Sequence, residues 1–103
     1  MEPGTIVMAT LKDPRERIWG ALREIKAEGI TVEGIRAELL EDFIQQSGRR
    51  EGFAPDFSTE FYSTHRMEKI AWDITDADLD FFARRFREKM GVTIEEYLNK
   101  RKG

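Results

Sequence analysis

Three stretches of this chain share one pattern: an apolar residue, a threonine, and a second apolar residue four positions after the threonine. They are Ile30-Thr31 with Ile35, Ile74-Thr75 with Leu79, and Val92-Thr93 with Tyr97. A threonine hydroxyl at a helix start accepts from first-turn N–H groups that have no partner within the helix. The flanking apolar pair then packs across the cap. Asp78 and Glu96 stand three positions after their threonines, where a carboxylate closes a capping box. The pattern predicts three helix starts, each cap contributing about 1 kcal/mol.

Apolar spacing points the same way. Asp13-Pro14-Arg15-Glu16 has the form of a helix entry, and Ile18, Leu22 and Ile25 then share a face that Gly29 ends. From Thr31, a second stripe runs through Val32, Ile35, Leu39 and Phe43, widened by Leu40 and Ile44 and ending near Gly48. Residues 47–57 read as a loop, broken by Gly48, Gly52 and Pro55. Residues 58–72 are expected to form a third helix on Met67, Ile70 and Ala71, with a short extended stretch near Phe61-Tyr62 as the alternative. The fourth helix opens at Thr75, carries Leu79, Phe82, Ala83, Phe86 and Met90 on one face, and stops at Gly91; a short fifth opens at Thr93. The expectation is therefore all-α: one helical domain over residues 1–103, a bundle of four to five helices. Residues 1–11 are left as an arm or short strand. The expected core is Ile18, Leu22, Ile25, Ile35, Leu39, Phe43, Leu79, Phe82, Phe86 and Tyr97.

Composition narrows the chemistry. With no cysteine there is no disulfide framework, thiolate nucleophile or cysteine-based zinc site. His65 is the lone histidine and has no companion ligand in its neighbourhood of the sequence. Asp76-Ala77-Asp78-Leu79-Asp80 imitates the opening of a calcium loop. It places Phe81 where the sharp turn needs glycine and Arg87 where a bidentate glutamate is needed. Phosphate loops and Ser-His-Asp patterns are absent, so no enzyme activity, cofactor or metal is expected. No apolar run approaches the roughly 18 residues of a membrane span, and Met1 to Leu11 lacks the basic region of a secretory signal. A cytoplasmic protein is expected.

The net charge of −3 is unevenly spread. Asp73, Asp76, Asp78 and Asp80 come without a base among them, whereas Arg84, Arg85, Arg87, Lys89, Lys100, Arg101 and Lys102 crowd the C-terminal end. With Leu79 at the centre of the fourth helix's buried face, Phe81 falls about 160–200° away. Arg84, Arg85 and Glu88 surround it. An outward Phe among arginines suits an unidentified protein partner, so the leading expectation is a non-enzymatic binding or regulatory module using Phe81, Arg84, Arg85 and Glu88.

Phe81-Phe82-Ala83-Arg84-Arg85-Phe86-Arg87-Glu88-Lys89-Met90-Gly91-Val92-Thr93, followed by Glu96-Tyr97-Leu98, resembles the end of an AraC-type helix-turn-helix domain. Ile70-Ala71 stand at about that family's spacing upstream. The resemblance implies the alternative, a small DNA-binding regulator. Arg84, Arg85, Arg87, Lys89, Lys100, Arg101 and Lys102 would then contact phosphates.

Overall fold

The computed structural model describes residues 1–45, 55–72 and 75–101. Its elements in order are β1 (Ile6–Leu11), β2 (Glu16–Lys26), β3 (Gly29–Arg36), α1 (Ala37–Gln45), β4 (Ser58–Ser63), a 3-10 turn (Thr64–Arg66), β5 (Met67–Ala71), α2 (Ala77–Met90) and α3 (Ile94–Arg101). The strands form one antiparallel sheet in the order β4-β3-β2-β1-β5. The protein is thus a sheet with three helices, and the all-α bundle expected from the sequence is wrong.

The error has a physical origin in the first half of the chain. Residues 18–22 of β2 are all buried. A strand covered on both faces loses its polar/apolar alternation, and Ile18, Leu22 and Ile25 then imitate helical spacing. Asp13 caps no helix; it sits at φ 54 in the turn between β1 and β2. Thr31 likewise lies within β3, and only the later part of the predicted second helix, from Ala37, is helical. Residues 58–71 are strand, 3-10 turn and strand, so the extended alternative at Phe61-Tyr62 holds within β4 and the third helix is absent. Of the two readings of the N-terminal segment, arm or short strand, the strand holds: β1 pairs with both β2 and β5.

From Thr75 onward the helix signals hold in outline. α2 starts one residue later than the threonine cap implies, with Asp76 accepting from Asp78 N–H (3.0 Å) and Leu79 N–H (3.2 Å). It ends at Gly91, in the left-handed region at φ 78, whose N–H donates to Arg87 O at 2.8 Å. The capping box of α3 forms as read: Glu96 N–H donates to Thr93 Oγ1 (3.2 Å) while Thr93 N–H donates to Glu96 Oε1 (3.1 Å). Asp73, Ile74, Lys102 and residues 47–54 of the predicted loop lie outside the described residues; Phe57, at that loop's end, is buried.

The sheet is strongly rolled. In a flat sheet β4 and β5 would lie four strand spacings apart, about 19 Å, yet only the turn 64–66 joins them. That turn also reaches both ends of β2. Thr64 N–H donates to Glu28 O (2.8 Å), just past its end, and Arg66 donates to Pro14 O (3.0 Å) and Glu16 Oε2 (2.8 Å) at its start. A straight strand of β2's length would separate these points by about 33 Å. The bend comes at a bulge between Leu22 and Glu24. Gly20 and Gly34 face each other across β2 and β3, where a Cβ on Gly20 would strike Glu33 O and Gly34 Cα.

Rolling gives the sheet two cores. Val7, Ala9, Leu11, Ile18, Leu22, Ile30 and Val32 fill the concave side, closed by Tyr62, Met67 and Ile70. On the convex side Met8, Trp19, Ala21 and Ile35 carry the helices through Leu40, Phe43, Leu79, Phe82, Phe86, Ile94 and Leu98. Trp19 is the hub, its ring centroid 5.5 Å from Phe86, 6.1 Å from Phe82 and 6.3 Å from Phe57. Of the expected core, Ile25 and Leu39 are exposed and Tyr97 is half-buried, and the others are buried but divided between the two sides. No helix among the described residues is long and apolar enough to cross a membrane.

Candidate functional site

The residues singled out on the fourth helix lie on α2, and its buried residues Leu79, Phe82 and Phe86 leave the opposite face to solvent. Phe81 is 45% exposed there, with the Arg85 guanidinium 5.8 Å from its ring centroid and the Phe82 ring at its edge. Arg84 pairs with Asp80 (3.3 Å), and Glu88 and Arg87 are exposed. The basic residues do not act as one group. Lys89 lies over the Phe43 ring (5.6 Å), and Arg101 turns to the sheet, pairing with Glu33 (3.4 Å) and donating to Phe57 O (2.9 Å). Lys100 is exposed, and Lys102 lies outside the described residues. The aspartates are used locally, Asp76 as the α2 cap, Asp78 with Arg17 (3.4 Å) and Asp80 with Arg84. Among the described residues no group of three His, Cys, Asp or Glu is placed to hold a metal ion. His65 is exposed in the 3-10 turn. Ile70 and Ala71, upstream of the helix-turn-helix-like stretch, are in β5.

A concave, mostly apolar feature lies elsewhere, where the start of β1 meets α2 and α3. Gly4, Thr5, Ile6, Trp72, Leu79, Ala83, Ile94 and Glu95 enclose a cleft of about 270 Å³. Its sequence-remote walls are brought together by three local devices. Gly4, at φ 96, donates to Leu22 O (2.6 Å), and Leu22 N–H donates to Thr5 O (2.8 Å), which fastens the N-terminal segment to β2. Trp72 leaves β5 directly after Ala71 and is 53% exposed. The α3 capping box sets the first turn of that helix, with Ile94 and Glu95, against the cleft.

Two further recesses continue it. One shares Gly4, Ile6 and Glu95 and runs to Arg23 and Asn99; the other shares Trp72 and runs to Thr75 and Asp76. Of the described charged residues along this groove, Arg23 is taken up by Glu33 (3.0 Å from Nε) and Asp76 by the cap of α2, which leaves the acid Glu95. The first turn of α3 follows Glu95 with a second acid, Glu96. The Thr93 backbone N–H, and then its hydroxyl, hold the Glu96 carboxyl below the usual carboxylate range.

A more polar recess of about 230 Å³ opens beside β4, lined among others by Glu16, Arg36, Glu60, Tyr62 and Arg66. Its charges largely satisfy one another, since Glu16 pairs with Arg66 (2.8 Å) and Arg36 (3.9 Å). Burial first, and then the Glu60 carboxylate, push the Tyr62 phenol up to about 12, so at neutral pH it is a proton-bearing donor and not a base.

No family model, curated protein or solved structure matches the chain. Sequence reasoning missed the groove because its residues come from five separated segments. An available signal was Trp72, a large aromatic followed directly by Asp73 at the end of a β-prone run.

Proposed function

We propose that the protein is a non-enzymatic binding module that holds a segment of another protein in the groove beside Trp72. The carrying observation is the half-exposed Trp72 indole at the rim of a cleft formed by Ile6, Leu79, Ala83 and Ile94. Exposed aromatics beside apolar recesses are the usual anchors of protein interfaces. The cleft, about 270 Å³, has room for one bulky apolar side chain. Glu95 at the cleft favours a partner segment with lysine or arginine beside that anchor.

Trp72 reports on its own site, because the other tryptophan, Trp19, is fully buried. Peptides carrying one Leu or Phe flanked by lysines are expected to shift Trp72 fluorescence, and the same peptides flanked by aspartates are not. Trp72→Ala, read by fluorescence anisotropy of a dye-labelled peptide, should weaken binding at least about tenfold, the scale of an interface anchor, with little change in melting temperature. Phe81→Ala separates the groove from the solvent face of α2. Binding kept in Phe81→Ala and lost in Trp72→Ala supports the groove. The reverse moves the contact to the solvent face of α2, and equal binding by all three proteins removes the reading.

The DNA-binding alternative draws less support. Arg84, Arg85, Lys89 and Arg101 are engaged with Asp80, Phe81, Phe43 and Glu33 respectively. Salt-sensitive binding to random-sequence duplex, lost when Arg84, Arg85 and Arg87 are replaced together, would reinstate it.

A further inference from the structure

The two edges of the sheet are protected differently. β5 carries Glu68 and Lys69, both exposed, and charges on an edge discourage addition of another strand. β4 has Glu60 as its single charge and no lysine, arginine or proline, while Phe61 on it is 52% exposed. No described strand other than β3 pairs with β4.

The hydrogen-bond phase of β4 follows from its neighbours. Thr64 N–H donates to Glu28 O at 2.8 Å, next to the pairs Ser63↔Gly29 and Tyr62↔Ile30. Bonding residues alternate along an antiparallel strand. Ser58, Glu60 and Tyr62 therefore bond to β3, and Thr59, Phe61 and Ser63 direct their backbone groups to the side away from β3, where no other described strand lies. Tyr62 belongs to the concave core, so Phe61 stands on the convex face beside its partner Thr31.

We propose that two copies of this chain pair antiparallel through β4, with Phe61 on the two-fold axis, to make one continuous ten-stranded sheet. The occupant is a second copy because the strand is complementary to itself. Equivalent faces stay on one side of a joined sheet only when the axis passes through a residue, not between two. Centring on Glu60 would set two carboxylates opposite each other. Centring on Phe61 sets ring against ring and places Glu60 beside the partner's Tyr62, and Thr59 and Ser63 exchange hydrogen bonds across the edge. A six-residue strand pair buries less than the roughly 1,200 Å² of a stable interface, so the dimer is weak and in reversible exchange.

Sedimentation velocity from about 10 µM to about 1 mM should show a concentration-dependent monomer–dimer equilibrium, abolished by Phe61→Lys. The chain has no cysteine of its own, which allows a test of register. Across the axis, position 61 meets itself at a Cα separation of about 5.5 Å, inside the roughly 4.4–6.8 Å range of a disulfide. Phe61→Cys is expected to cross-link on mild oxidation. Thr59→Cys alone should not, and a mixture of Thr59→Cys and Ser63→Cys chains should. A wild-type chain that stays monomeric throughout, a dimer that survives Phe61→Lys, or Thr59→Cys cross-linking as fast as Phe61→Cys would each overturn the proposal.

Discussion

At the scale of single residues, Glu33 does the least expected work. It is a carboxylate in the middle of β3, almost fully buried, and it is compensated from two distant places, Arg23 of the β2 bulge and Arg101 at the end of α3. A buried charge stripped of its partner is costly, typically about 3–5 kcal/mol. Arg23 retains 23% exposure, so the loss on Arg23→Ala should fall below that range, at about 2–3 kcal/mol. Arg15→Ala, which breaks the open pair with Glu68, should cost less than about 0.5 kcal/mol. Urea unfolding of both variants measures the contrast, and equal effects would mean that Glu33 is not held as described.

At the scale of elements, helices and strands differ in how local their causes are. The α3 start depends on Thr93 and Glu96 alone, so Thr93→Ala should cost about 1 kcal/mol in thermal or urea unfolding. The same box makes a pH signature. Glu96 is held below its ordinary value in the fold, so its contribution is complete above the usual carboxylate range and is lost as pH falls through the lowered value. The stability gap between wild type and Glu96→Gln should therefore narrow in acid, whereas a gap that does not change with pH would show that the charge plays no part. β2 has no comparable local signature. Its bulge, its bend and the Gly20–Gly34 approach exist only with β3 beside it.

At the scale of the whole molecule, the convex core is completed by the last helix. α3 supplies Ile94 and Leu98, sets Tyr97 against Phe57 and Phe86, and brings Arg101 to Glu33. A helix of eight residues has little stability alone, so it is held by what it covers. Ending the chain after Gly91 should uncover the Trp19 cluster and leave Glu33 with Arg23 alone. The expected outcome is loss of the near-ultraviolet circular dichroism from Trp19 with much of the far-ultraviolet signal retained. An intact near-ultraviolet spectrum would show that α3 is dispensable to that core.

Read alone, the sequence determined what neighbouring residues decide among themselves. The Thr93–Glu96 box, the Gly91 stop, the outward Phe81 and the apolar face of α2 all rest on interactions within a few positions of the chain. Local spacing also puts Leu79, Phe82 and Phe86 on one face, while what covers that face is the sheet around Trp19. What pairs across the chain was decided only by the tertiary structure. Ile18 and Leu22 have helical spacing, yet they point into a rolled sheet whose other face Trp19 and Ala21 share with the helices. When both faces of a strand are buried, the period that would reveal it disappears. The groove beside Trp72 has the same history, since Gly4, Trp72, Ala83 and Glu95 become neighbours only after β1 joins β5 and both helices dock. Local hydrogen bonds are written in local sequence, whereas burial on two sides is a property of the assembled sheet.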